Sequence, residues 1–323
     1  MQRFGKALCA LATGLLVSAS LVSWAHAQAW PQRSVRFIVS LGPGSGADIG
    51  ARLIADKLSA KWKQSVVVEN RPGGDAVIAI NAFIGAKDDH TLLYTPTSSF
   101  TAHPFLMAKV PYDPAELGPI ARISNTMVGM IVPPALKIDT VKDFMAQVKA
   151  QPGKMNYSTA TGMTDVIFDG YFKSAGLTIT RVPYRDVVSP LTDLGEGRIQ
   201  AYVGALAIVQ PHIQSGRVKL IAITNSQRAP TQPKIPTIAE AGFPQLTFDG
   251  LIGVFGQRTM AAAVRDRIAA DIKEAVSDKT ISARLTATGQ VVSPGNAADF
   301  RKSMEAQSAK LAAVVKQLGV KPK

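Results

Sequence analysis

Short apolar runs rich in β-branched residues alternate with stretches of helical periodicity along most of this chain, and that alternation leaves few folds open. Residues 35–40, 65–69, 91–95, 127–132, 156–158, 178–183, 199–203 and 219–224 read as strands. Between them Ile49, Leu53, Leu58 and Trp62 recur at helical spacing, and residues 141–150 follow Thr140 with Asp143 three positions on, the pattern of a capping box. Helices predicted over 164–175 and 208–215 stop just before Gly176 and Gly216, where a left-handed residue closes a helix. Strand and helix in alternation specify open α/β sheets covered by helices. Roughly 300 residues is more than one hydrophobic core usually organises, so two lobes are expected. The apolar segments 127–132 and 248–255 are predicted to carry the chain between them. Residues 28–128 plus 251–323 then form lobe one, completed by helical patterns over 261–278 and 297–318, and residues 129–250 form lobe two.

The first residues bear on the compartment. Arg3 and Lys6 precede a mostly apolar run that ends in Ala25-His26-Ala27, which reads as a cleavable secretory signal over residues 1–27. A membrane anchor is the rival reading, but Thr13, Gly14, Ser18, Ser20 and Ser23 dilute the run. Export to the periplasm follows. Cys9, the chain's one cysteine, falls in the segment to be removed, so burial alone must hold the mature core. The formal net charge of +13 attracts anions of any kind. Nucleic acid is not the expected partner, because no cluster of Lys and Arg with interleaved aromatics accompanies the charge.

Gly42-Pro43-Gly44-Ser45-Gly46-Ala47-Asp48 follows a strand and opens a helix. Free N–H groups at a helix start bind anions, and glycines let a ligand approach the backbone. The spacing Gly42-x-Gly44-x-x-Ala47, with Glu69 ending the next strand, also fits a dinucleotide fingerprint, so an exported enzyme or NAD-type oxidoreductase is the alternative. A phosphate-binding Walker loop fails, since no Gly-Lys-Ser/Thr follows, and Ser45 lacks the flanking glycines of a nucleophile elbow. His90, His103 and His212 are scattered without a second ligand or base partner, so no zinc site or triad is indicated and surface or loop positions are expected. Asp88-Asp89 reads as a turn. No cofactor and no catalytic residue are predicted.

Several segments together resemble one family. Trp30-Pro31-Gln32-Arg33-Ser34-Val35-Arg36 and Val66-Val67-Val68-Glu69-Asn70-Arg71-Pro72-Gly73 are similar to the opening of the Bug-type receptors, the extracytoplasmic substrate-binding subunits of tripartite tricarboxylate transporters. The likeness continues through Pro111-Tyr112-Asp113, Pro152-Gly153-Lys154-Met155-Asn156-Tyr157-Ser158, Val182-Pro183-Tyr184 and Ile235-Pro236-Thr237-Ile238-Ala239-Glu240-Ala241-Gly242. It implies an α/β, two-lobed periplasmic-binding-protein fold of type II (Venus flytrap), each lobe a mixed sheet flanked by helices. It further implies a small organic acid bound in the cleft by backbone N–H groups, hydroxyls and water, integral membrane partners of a tripartite tricarboxylate transporter, and no catalysis. The chain departs from the family pattern at Ser45 and Ala47, at Gly74-Asp75-Ala76, at Asp89-His90, at Arg185-Asp186 and at Gly204, where an acid is frequent. Loss of an acid at 204 favours a plain carboxylate over an amino acid.

The candidate ligand-binding residues follow from strand ends and helix starts. Gly42, Gly44, Ser45, Gly46 and Ala47 form the first cradle. Thr97, Ser98 and Ser99 belong to a hydroxyl-rich segment, Thr95 to Thr101, that either walls the cleft or caps the next helix. Thr159, Thr161 and Gly162 repeat the arrangement in lobe two. Tyr184 and Arg185 follow a strand end, where Arg185 either clamps a carboxylate or pairs with its neighbour Asp186. Asp48 reads as a structural residue of the first helical turn, and Tyr202 and Phe100 as cleft wall or core.

Overall fold

The computed structural model describes residues 30–319, and the expected signal peptide, with Cys9 and the Ala25-His26-Ala27 site, lies outside them. From Arg33 onward the chain forms one compact unit built on two mixed sheets. The first contains β1 (Val35–Val39), β2 (Val66–Asn70), β3 (Thr91–Pro96), β4 (Leu117–Thr126), β10 (Gly250–Gln257) and β11 (Gln290–Gly295), in the order β11-β4-β10-β3-β1-β2. The second contains β5 (Val128–Val132), β6 (Asn156–Thr159), β7 (Thr180–Arg181), β8 (Ala201–Ala205) and β9 (Lys219–Ile223), in the order β7-β6-β8-β5-β9.

Parallel pairing of β1 with β2 and β3 requires crossover helices. The first, Gly46–Trp62, buries Leu53, Ile54, Leu58 and Trp62. Thr140 and Asp143 form the expected reciprocal capping box, and Gly176 and Gly216 take the left-handed φ predicted for them, 65° and 71°. Two strands, β4 and β11, escape the sequence reading. β4 carries Gly118 and Pro119, residue types depleted in strands, yet Pro119 lies opposite Phe255 beside a register shift of β10. A proline without an N–H is tolerated where the ladder is interrupted.

The chain passes from the first sheet to the second at Met127, between β4 and β5, and returns between β9 and β10. Asn225, fully buried, ties the two passages together. Its amide accepts from Val128 N (2.8 Å) and donates to Thr126 O (3.0 Å). The helix Ala297–Leu318, expected to complete lobe one, packs on both sheets' cores. Phe300 lies 5.0 Å from Phe255, centroid to centroid, in the first, whereas Leu311 belongs to the cluster of Phe168 and Phe172 in the second. Midway, Gln307 accepts from Thr97 Oγ1 (2.6 Å) and donates to Asp249 O (2.9 Å). Among the described residues no helix is long and apolar enough to cross a membrane.

Candidate functional site

A narrow cavity of about 50 Å³, partly open to solvent, lies where the two sheets face each other. Residues attached to the first sheet (Leu41, Ser45, Gly46, Ala47, Pro96, Ser98) wall one side, and Ala160, Thr161, Thr164, Val187, Ala205 and Ile208 wall the other. Thr126, Val128, Phe248, Gly250 and Ile252, from the connecting strands and their approaches, complete the lining. No lysine, arginine or histidine contributes to it among the described residues.

The first cradle is built by local sequence. Ser45 is the N-cap of the helix Gly46–Trp62, and its hydroxyl accepts from Asp48 N (3.2 Å). The buried carboxylate of Asp48 in turn accepts from Gly44 N (2.9 Å), Asn70 Nδ2 (2.9 Å) and Arg52 (2.8 Å). Burial pushes this carboxyl up, but the bonds from Arg52, Gly44 and Asn70 outweigh it and hold Asp48 below the ordinary carboxylate range. Asp48 is therefore the structural residue expected of it. Its contact changes the role of Gly44, whose N–H points to Asp48 while its φ of 80° calls for glycine. Gly46 and Ala47 line the cavity, and as the first residues of the helix their amides have no intrahelical acceptor. Gly46 is also a point of close approach, because a Cβ there would stand 2.9 Å from Ala207 Cβ across the cleft.

The second helix start is arranged differently. Thr161 caps Gly162–Ser174 and lines the cavity with Thr164, but Gly162 N donates to Asp75 Oδ2 (3.1 Å), a residue of the first lobe. Thr159 is turned away, its hydroxyl bonded to Asp165. Asp165 and Asp169 share Arg181. Burial, reinforced by Asp169 and Asp75, outweighs Arg181 and Thr159 and raises the Asp165 carboxyl to about 6.

Of the sequence-derived candidates, Ser45, Gly46, Ala47, Ser98 and Thr161 come together around the cavity. Gly42, Gly44, Thr97, Thr159, Gly162, Tyr184, Arg185 and Gly204 do not line it, and the Ser99 side chain lies outside what is described. Thr97 is bound to Gln307, and the Tyr184 hydroxyl donates to Asp193. Arg185 is exposed, because Asp186 turns the chain there by accepting from Val188 N and Ser189 N. Gly204 serves packing: a Cβ would stand 2.2 Å from the Tyr202 ring, which is buried with its hydroxyl on Val187 O. Phe100 packs edge-on to Phe255 in the core. His90 lies in the loop before β3, as expected, but is buried there, whereas His103 is buried in a short helix, contrary to the surface or loop position expected, and bonds Tyr112 and Asp75 O. Sequence reasoning missed Thr126, Val187, Ile208 and Phe248 as lining residues, although 127–132 and 248–255 stood out as crossing segments. The Thr126 hydroxyl is buried without a hydrogen-bond partner.

Two mixed α/β sheets with a cavity between helix starts define a two-lobed solute-binding protein. Solved structures share the architecture. A periplasmic transporter is 27% identical with a TM-score of 0.84, over 91% of this chain and 99% of that one. Rpa4515 of R. palustris, solved with adipate, is 26% identical with a TM-score of 0.85, over 91% and 100%. The periplasmic binding protein BugD, 21% identical with a TM-score of 0.82 over 91% and 100%, shares the fold. Among curated sequences, BugT of Bordetella pertussis is 28% identical over 313 residues, covering 95% of this chain and 96% of its own. Residues 50–320 match the model of the tripartite tricarboxylate transporter family receptor, and the chain belongs to that family. The dinucleotide alternative gains no support: the family is one of receptors, Gly44 N is held by Asp48, and Glu69 is paired with Arg36 and Arg71.

Proposed function

We propose that this receptor captures a small organic carboxylate in the cavity, with the carboxylate against the Gly46 and Ala47 N–H groups and the hydroxyls of Ser98, Thr126 and Thr161 within the same enclosure. One observation carries the reading: the first residues of a long helix line a narrow cavity to which, among the described residues, no lysine, arginine or histidine contributes. A helix N-terminus supplies both donors and the positive end of the dipole. Rpa4515, with adipate in its structure, supports an acid ligand.

Residues 28–128 plus 251–323 and residues 129–250 are the two lobes of this reading, with the helix Ala297–Leu318 strapped across both. Export through cleavage after residue 27 places the receptor in the periplasm, where it hands its ligand to the integral membrane subunits of a tripartite tricarboxylate transporter. A thermal-shift screen of mono-, di- and tricarboxylates tests the binding step, because a ligand of the folded state alone raises Tm with its affinity. Stabilisation by at least one acid, confirmed by calorimetry, is the expected result. Turnover of any such acid would overturn the receptor reading.

A further inference from the structure

We infer that the ligand is a monocarboxylate with an apolar body, because the protein supplies the second carboxylate itself, from Asp75. The inference rests on the carboxylate-receptor reading above and narrows it.

The two helix starts that reach the cavity from opposite lobes are not equally free. Gly46 and Ala47 line the cavity and their amides have no intrahelical acceptor, whereas Gly162 N, next to the lining Thr161, already donates to Asp75 Oδ2 at 3.1 Å. The fit is close, since a Cβ on Gly162 would stand 2.4 Å from that oxygen. Asp75 is held there by its loop. Its backbone is left-handed (φ 47°, ψ 52°), as is that of Ala76 (φ 75°), conformations that L-residues rarely adopt. Its carbonyl oxygen lies 2.9 Å from Nε2 of the fully buried His103, whose Nδ1 is 2.7 Å from the Tyr112 hydroxyl.

A second ligand carboxylate aimed at this helix start would meet an occupied donor and a fixed negative charge beside it. Like charges brought together out of water are strongly unfavourable. Of the remaining walls, Val128, Val187, Ile208, Phe248 and Ile252 are apolar and give an anion nothing, while Ser98, Thr126, Thr161 and Thr164 offer hydroxyls but no positive charge. Asp75 thus also joins the lobes as the second carboxylate of a diacid would.

Paired acids of matched body test this by calorimetry: hexanoate against adipate, and benzoate against terephthalate. The wild-type receptor should bind the monoacid of at least one pair about tenfold or more tighter than its diacid. Asp75→Gly, which suits the left-handed backbone, should cut that ratio by about tenfold. Asp75→Asn, which keeps an acceptor for Gly162 N and loses the charge, should fall between. Circular dichroism and Tm confirm that each variant is folded. Preference of the wild type for the diacids, or a ratio unmoved in Asp75→Gly, would overturn the monocarboxylate assignment and leave the carboxylate-receptor reading standing. Binding of none of the four acids, with none found in the wider screen, would overturn both.

Discussion

The helix starts at Ser45 and Thr161 look alike in sequence, each a hydroxyl followed by a glycine, but they are completed in opposite ways. At Ser45 the anion that organises the turn comes from the same helix. Asp48 gathers Gly44, Arg52 and Asn70 and leaves the amides of the lining residues Gly46 and Ala47 without an intrahelical acceptor. At Thr161 the anion comes from the other lobe, as Asp75 on Gly162 N. A self-contained cradle is present whether the lobes are together or apart, whereas a cradle completed in trans exists only when they meet. The difference divides the labour between holding a ligand and holding the lobes closed.

The largest effect is expected from closing the first cradle. Gly46→Val puts atoms where Ala207 approaches within 2.9 Å of a Cβ and between the ligand and two amides, so affinity for the acid found in the screen should drop about 100-fold or more. Calorimetry on a variant shown to be folded checks it; affinity within threefold of wild type would place the carboxylate elsewhere. The same change at Gly44 should act on stability and not on binding, because a Cβ there meets no atom within 4 Å but must take a φ of 80°, at about 1–2 kcal/mol.

The two carboxylates should separate next in stability. Asp48→Ala removes the buried carboxylate on which Gly44 N, Asn70 and Arg52 converge and should cost about 1.5–3 kcal/mol in urea unfolding, the range for hydrogen bonds to a charged group. Asp75→Gly gives up one bond at a partly exposed side chain (28%) and relieves its backbone, so a loss under about 1 kcal/mol is expected. Equal losses would remove the distinction between the cradles.

Their neighbourhoods also predict opposite responses to acid. Asp48 is held below its ordinary pKa, so its contribution is complete above the unfolded value, ~3.9, and is lost as pH falls through the folded one. Asp165, raised to about 6, binds its proton more readily when folded. Its penalty is therefore present above pH ~6 and relieved as pH falls toward ~4. Asp165→Asn should flatten the wild-type Tm profile between pH 7 and 5 by an amount on the order of 1 kcal/mol, and Asp48→Asn should flatten it below pH ~4. Unchanged profiles would contradict these environments. The smallest effect is assigned to Arg185→Ala. The side chain is exposed and outside the lining, so ligand affinity should stay within about twofold; a larger loss would return Arg185 to the site as a clamp.

Much of the fold was legible because it is written in local periodicity. Eight strand runs, the capping box at Thr140 and the closing glycines at 176 and 216 each depend on neighbours a few residues away. β4 was not legible, because glycine and proline at 118 and 119 disfavour a strand and are accommodated only where β10 supplies an interruption of the ladder. The candidate site divides the same way. Ser45, Gly46, Ala47 and Thr161 were found from strand–hydroxyl–helix junctions, while Arg185 drew attention by its chemistry and lies outside.

The sequence by itself determined the alternating α/β plan, the crossing segments, the family resemblance and the first cradle, since Asp48 finds Gly44 and Arg52 within one helical turn on either side. Only the tertiary structure decided that Asp75 reaches Gly162, 87 positions away, that Asn225 ties the crossing strands, and that Gln307 binds Thr97 from 210 positions away. The physical reason is range. Caps and turns are set by the few residues that share a turn, whereas contacts between lobes depend on how the two sheets pack, which no local pattern records.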